Sequence, residues 1–466
     1  MQHSAHFAGY DLRRPQVRED DEHATTQGVD IHRIRAFNHL LVLNYVRDHG
    51  PISRVMLAQR LGLSRATVSN IMDVLLQEGL VREGHLLDAT PKGGRRAVLV
   101  HFNADIGRIL GIDVGRTHLT MVLTNLAPDV LFQRSVGFDT ERGPDICLPI
   151  LLSEIRTFVE ASTVKWETIA GIGLGIPGPL SADHHRLHSP PHMPGWDNID
   201  IWESLQKAFH KPLYMENDAN VGALSEVRLG AGQGCKDIAY VKIATGIGCG
   251  LILHGQIYRG HQGSAGELGH LSIDENGPVC VCGNRGCLET LAAAPAIVKD
   301  AQQGISLTHK LAAKDTTPTS ASALNERVYV DIADVVDAAQ HSDAPSIAAL
   351  EKAGERIGLA LAGLVNLFNP EVIVIDGGVA RAGEILLAPL RRVVASASLP
   401  AAWKGVRLLT SERGTTTIAL GAALMVLDAA FAINAQSIST ALAGAEKSIL
   451  ASVISRHSAL IGEADV

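Results

Sequence analysis

The sequence predicts an α/β protein in two unlike parts: a small module of helices and paired strands, then a larger body in which strands and helices alternate. Three observations carry this. Two short amphipathic helices with capping serines lie between Pro51 and Gly79. A strand-strand-strand-helix-strand pattern begins at Arg108. Charge divides along the same line. The segment 31–101 holds ten Lys/Arg against five acids, a net +5, whereas the whole chain is −8. A basic module on an acidic body suits a local contact with nucleic acid rather than a general affinity for polyanions.

Length and composition agree. A chain of 466 residues exceeds one core, and 46% hydrophobic residues exclude global disorder. No stretch reads as a membrane span, since the apolar run Gly421–Ile433 is short and holds Asp428, and residues 1–30 carry no apolar signal core. A cytoplasmic protein without a membrane partner is expected. Three of the six cysteines crowd between Cys280 and Cys287, which in a reducing compartment favours a metal over disulfides.

The elements follow in order. Residues 1–30 read as a tail. A helix is expected over Ile31–Asp48, capped by Asp30 and stopped by Gly50-Pro51. In the next helix Ser53 is the cap and Val55, Met56, Ala58 and Leu61 face inward. Gly62 allows the turn, Ser64 caps the second helix, and Val68, Ile71, Leu75 and Leu76 form its buried stripe. Arg65, Ala66, Thr67, Ser69 and Asn70 then remain on its exposed first turns, where with Ser64 they can approach base edges in a major groove. Leu80-Val81 and Val98–Val100 are wing strands, and Lys92, Arg95 and Arg96 at the tip suit phosphates. Together these make a winged helix-turn-helix over 31–103, with double-stranded DNA as the expected partner.

In the body, strands are expected at Arg108–Val114, His118–Leu126 and Val130–Phe138, a helix at Asp145–Glu160 and a buried strand at Ile169–Ile176. Further strands fall at Ile238–Thr245, Gly250–Leu253 and Glu371–Asp376, with a long helix at Ser346–Phe368 and a small-residue helix at Gly421–Ile433. The Ser/Thr/Lys-rich stretch from Gln302 to about Leu324 reads as a loop.

At Gly111-Ile112-Asp113-Val114-Gly115-Arg116-Thr117 the chain begins to resemble the ROK family of repressors and sugar kinases. The resemblance continues through Gly175-Ile176-Pro177-Gly178, Pro194-Gly195-Trp196, Glu216-Asn217-Asp218-Ala219-Asn220 and Thr245-Gly246-Ile247-Gly248. Glu267-Leu268-Gly269-His270, the run Cys280 to Glu289, and Asn369-Pro370 through Asp376-Gly377-Gly378 complete it, over about Arg108–Leu427. With the winged helix, the chain resembles the branch of the xylose and N-acetylglucosamine repressors. The resemblance implies a two-lobed actin-like (ribonuclease H-like) sugar-kinase fold. One lobe would be 106–217 with about 418–435, the second 218–417 with a zinc loop, and 436–466 a tail. It implies that Glu267, His270 and Glu289 hydrogen-bond sugar hydroxyls, a role Asn217 and Asp218 also suit. For Asp218, capping the helix that follows is the plain alternative. His270, Cys280, Cys282 and Cys287 form a one-nitrogen, three-sulfur set appropriate to structural zinc.

In a family kinase, Asp218 would be the base. Here Arg116, His118, Ala244 and Cys249 replace the usual residues of the two phosphate loops, which argues against phosphoryl transfer. The expectation is a DNA-binding repressor of carbohydrate genes, homodimeric or larger, that answers to a sugar or sugar phosphate. The alternatives are a bifunctional regulator with kinase activity and a binding module without DNA contacts.

Overall fold

The computed structural model describes residues 31–86, 97–181, 183–315 and 329–432. The first module holds α1 (Ile31–His49), β1 (Ile52–Ser53), α2 (Arg54–Leu61), α3 (Arg65–Gln77), β2 (Val81–Leu86) and β3 (Val98–Phe102), the strands ordered β1-β3-β2. Ser53 accepts from the Met56 amide and Ser64 from the Thr67 amide, so both serines cap as their positions suggest. Gly62 sits between the helices at φ 66°, a left-handed conformation that side chains resist.

Leu43, Val46, Leu57, Val68, Met72 and Leu75 form the module's core with Ile52 and Leu80. Two expectations need correction here. Val55 and Met56 are exposed, because the inward face of α2 is the line Leu57, Ala58 and Leu61 at helical spacing, which leaves the first turn pointing outward. In α3 the buried line is Val68, Met72 and Leu75, with Ile71 and Leu76 only half-buried on its flanks. The expected tail 1–30 with Asp30, the wing-tip residues Lys92, Arg95 and Arg96, and the tail 436–466 lie outside the described residues.

The body contains two sheets of matching layout. The first is built from β4 (Arg108–Val114), β5 (His118–Thr124), β6 (Val130–Gly137), β7 (Ile169–Ile176) and β8 (Leu213–Asn217), ordered β6-β5-β4-β7-β8. α4 (Pro144–Ala161) and α5 (Ile201–Phe209) are its crossovers, and α6 (Asp218–Leu229) follows at once after β8. The second comprises β9 (Ile238–Ile243), β10 (Ile247–Leu253), β11 (Gln256–Ile257), β12 (Val372–Asp376) and β13 (Arg407–Thr410), ordered β11-β10-β9-β12-β13. In each, antiparallel neighbours lie on one side of the first strand and parallel ones on the other. The second sheet carries α7 (Leu288–Ala292), α8 (Ala294–Asp315), α9 (Ile332–Gln340), α10 (Ala344–Phe368), α11 (Glu384–Ala397) and α12 (Pro400–Trp403). The loop expected from Gln302 is therefore helical as far as Asp315, where Leu311, Ala312 and Ala313 favour helix; 316–328 lie outside the described residues.

The last helix, α13 (Thr417–Phe431), returns to the first sheet and packs between β4–β7 and α6. Residues 414–431 are apolar and long enough to cross a membrane, but 67% of that stretch is buried inside the protein, which makes it a core helix. Small residues permit its close fit. A methyl group on Gly421 would collide with the Val221 carbonyl of α6, and one on Gly173 of β7 with the Ala422 carbonyl of α13. The far end of α13 reaches the winged module. There Asn44 Nδ2 donates to the Phe431 carbonyl at 2.9 Å, the Arg47 guanidinium lies 4.4 Å from the Phe431 ring centre, and Phe102 meets that ring edge-on. One apolar cluster consequently runs from Leu43 and Val100 through Leu427 and Phe431 to Ala223 and Ile238.

Candidate functional site

A cleft opens between the two sheets, enclosing about 970 Å³ of space that includes open solvent. Its walls are strand ends and the turns beside them: Arg116–His118 between β4 and the start of β5, Pro177-Gly178 after β7, Asn217-Asp218 at the junction of β8 and α6, and Ala244–Cys249 from the turn after β9 into the start of β10. Pro190–Met193, the loop ending in Glu267 and His270, and Glu289 close the remaining side. All five expected sugar contacts, Asn217, Asp218, Glu267, His270 and Glu289, line this one cleft.

Asn217, not Asp218, caps α6: its Oδ1 accepts from the amides of Ala219 and Asn220, and its Nδ2 donates to the Gly178 carbonyl at 3.1 Å. The chain leaves β8 in an extended conformation at Asn217, which is where a cap must sit, so Asp218 is already inside the helix. Asp218 is buried, and its Oδ2 meets Lys242 Nζ at 2.9 Å. Burial opposes the Lys242 charge, but Asp218 and Asp113 outweigh it and hold the ammonium above the usual lysine range.

On the opposite wall, His192 Nε2 lies 2.8 Å from Glu289 Oε2, and His270 Nδ1 lies 3.5 Å from Glu289 Oε1. Burial works against the Glu289 charge, yet hydrogen bonds from His192 and Cys280 bring its carboxyl below the ordinary value. Burial moves Glu267 the other way, with His270 opposing the rise. Carboxylates, imidazoles and an amide facing one space can both donate to and accept from hydroxyls, as a polyol requires.

His270 also belongs to a second group. The ligand atoms of His270, Cys280, Cys282 and Cys287 all lie within 4.8 Å of one another. Cys282 Sγ and Cys287 Sγ are 3.6 Å apart, as are Cys280 Sγ and His270 Nδ1. Sulfurs bound tetrahedrally at about 2.3 Å stand about 3.7 Å apart, so the four residues fit a metal ion. Nδ1 of His270 faces the sulfurs while Nε2 points toward Glu267, 3.9 Å away, so one ring faces both metal set and cleft.

The phosphate-loop positions are engaged internally. Arg116 pairs with Glu141 at 2.7 Å and reaches the Thr245 carbonyl across the cleft, and His118 Nε2 lies 3.0 Å from Asp113 Oδ2. On the winged module, Ser64, Arg65, Ala66 and Asn70 are exposed on α3. Thr67 and Ser69, expected to be exposed, are half-buried, and the Thr67 hydroxyl bonds to the capping Ser64 at 2.8 Å. Arg54 ties α2 to Asp73 of α3 and to Glu83 of the wing.

Sequence reasoning missed His192 and Lys242. His192 stands two residues before Pro194-Gly195-Trp196, and that motif's Trp196 is a core residue donating to the Thr140 carbonyl. A lysine inside the otherwise apolar β9, two residues before Ala244, was the legible sign of the other.

Comparison with known proteins adds the following. The profile of the ROK family matches residues 109–429, and that of the MarR family matches residues 35–89. The xylose repressor of Bacillus spizizenii is 31% identical over 395 residues, spanning 85% of this chain and 96% of the repressor. A glucokinase of Thermotoga maritima is 33% identical over 300 residues, but it spans 63% of this chain and 89% of the enzyme. The crystal structure of a ROK family transcriptional regulator, a homolog of the Escherichia coli MLC protein, superposes with a TM-score of 0.69 at 28% identity, covering 91% of this chain and all of that one.

Proposed function

The chain belongs to the ROK family, and from that premise we propose that it is a sequence-specific DNA-binding repressor of carbohydrate uptake or catabolism genes, released when a sugar or sugar phosphate fills the cleft. One observation carries the reading: a winged helix is packed through α13 onto a sugar-kinase body whose phosphate loops hold Arg116, His118, Ala244 and Cys249. The likeness to the repressor extends over the winged module, and the likeness to the glucokinase spans less of the chain.

The roles divide as follows. Ser64, Arg65, Ala66, Thr67, Ser69 and Asn70 face the major groove. Lys92, Arg95 and Arg96 hold phosphates. Asn217, Asp218, Glu267, His270 and Glu289 hold the sugar, with His192 orienting Glu289. Structural zinc is bound by His270, Cys280, Cys282 and Cys287 and fixes the loop that presents His270 and Glu267. The protein acts in the cytoplasm as a homodimer or larger homo-oligomer, whose two recognition helices meet half-sites about one helical turn apart. A sugar that prefers one arrangement of the two sheets shifts the population toward it and so displaces the recognition helices.

Operator binding measured against a panel of sugars and sugar phosphates tests this. One of them should lower operator affinity; a panel without effect on a protein that binds operator would remove the sensor role. The second reading, a regulator that also phosphorylates its sugar, is favoured only by Asp218 in the base position.

A further inference from the structure

Acid collects around one wall of the cleft, where Asp218 lines it and His118, another lining residue, meets Asp113. Asp113 is next to last in β4, Asp218 opens α6 after β8, and Asp376 ends β12, so three carboxylates from both sheets surround Lys242 closely enough to act on its charge. Two are committed elsewhere in part. Asp376 accepts from the Tyr240 hydroxyl at 2.7 Å and from the Gly377 amide, and Asp113 Oδ2 is met by His118. Asp113 Oδ1 is buried with no hydrogen-bond partner. Unpaired buried carboxylate oxygens are costly, so such a cluster calls for a cation.

The cations lining the cleft among the described residues are Arg116 and Lys242. Arg116 is spent on Glu141 and the Thr245 carbonyl. Lys242 is the half-buried residue of β9, and its ammonium sits on Asp218 within the field of Asp113 and Asp376.

We propose that Lys242, paired with Asp218, is a built-in cation that holds the place a divalent metal ion would otherwise occupy. The inference rests on the sensor reading and deepens it, because a cleft neutralised by its own side chain needs no metal–nucleotide complex to hold a sugar. Two features follow from the geometry. The Asp218 carboxylate is engaged by an ammonium before any sugar arrives, so it is a hydrogen-bond acceptor rather than a free base. The positive charge is also tethered to β9, so it cannot leave with a product as a metal–nucleotide would.

The test is Mn²⁺ binding to the full-length, zinc-loaded protein, read from the electron paramagnetic resonance signal of free Mn²⁺. Wild type should take up no Mn²⁺ that depends on Asp218. Lys242→Met should gain one Mn²⁺ per chain, at least about tenfold tighter than any wild-type binding, because hard oxygen ligands are then left bare. The site should vanish again in Lys242→Met/Asp113→Asn, and Lys242→Arg, which keeps the charge, should behave as wild type. A folded Lys242→Met protein, judged by circular dichroism and melting, that gains no Mn²⁺ overturns the proposal. So does a wild-type Mn²⁺ site that disappears in Asp218→Asn, a measurement that stands even if Lys242→Met fails to fold. Sugar-driven operator release in wild type is measured in parallel. Its absence would sink the sensor reading while leaving the Mn²⁺ result to decide the role of Lys242.

Discussion

Arg65 and Asn70 project from the first two turns of α3, where nothing else in the described chain holds them. Arg65→Ala or Asn70→Ala should each weaken operator binding by about 1–3 kcal/mol if they read bases, with sugar affinity unchanged. Titration of operator and of a mismatched duplex checks this, and equal losses on both would reassign these residues to phosphate contact. Ser64 was read in the sequence both as the cap of α3 and as part of its reading face, and Thr67 only as a short polar residue of that face; the structure joins the two hydroxyls beside the cap, so this part of the expected face is engaged internally. At this scale the sequence was clearest where chemistry demands particular side chains. His270, Cys280, Cys282 and Cys287 converge as their types suggest. Lys242 escaped notice because its meaning depends on Asp218 and on Asp113 and Asp376, the last two more than a hundred residues away along the chain and brought near it only when the two sheets face each other.

Among the elements, the loop from Cys280 to Cys287 and helix α13 carry the most consequence. The metal set shares His270 with the cleft, and Cys280 Sγ also lies 3.0 Å from Glu289 Oε1. Cys282→Ser should therefore lose the zinc, read by elemental analysis at about one ion per chain in wild type, and weaken the sugar response with it. Retained zinc with a lost sugar response would separate the two functions. For α13, Asn44→Ala removes the hydrogen bond to the Phe431 carbonyl, a loss of about 0.5–1.5 kcal/mol. It should reduce sugar-driven operator release while leaving sugar binding intact, as measured by calorimetry beside an operator assay. The long α10 and four strands of the first sheet, β4 to β7, were readable almost to their ends from their apolar runs, whereas the short β8, which ends in Glu216-Asn217, was not expected. The stretch 302–315 was misread because its serine and threonine suggested a loop, whereas the leucine and alanines after them continue the helix. Helix α2 was phased wrongly because Val55 and Met56 are apolar yet lie off the inward line of Leu57, Ala58 and Leu61, which a helix of eight residues is too short to make plain.

For the molecule as a whole, the question is whether the cleft turns over or only reports occupancy. Phosphoryl transfer depends chiefly on positioning and neutralising the phosphates, and Arg116 is already bridged to Glu141 and Thr245 where phosphates would approach. Coupled ADP release with magnesium, ATP and the effective sugar should show no turnover in the range of about 1–100 s⁻¹ typical of kinases. Turnover in that range, abolished by Asp218→Asn, would establish the bifunctional regulator instead. The overall architecture was legible from ordered motifs. The route between cleft and winged module was not, since the sequence places α13 more than three hundred residues from α1, and only folding sets Phe431 against Asn44 and Arg47.

Helix α13 touches its neighbours through bare backbone on two sides, at Gly421 against Val221 and at Gly173 against Ala422. Side chains can swing to absorb a small displacement; a carbonyl resting on an α-carbon cannot. Contact of this kind leaves little slack between the helix and its neighbours, so a shift of α6 at its cleft end is expected to be passed along α13 toward Phe431.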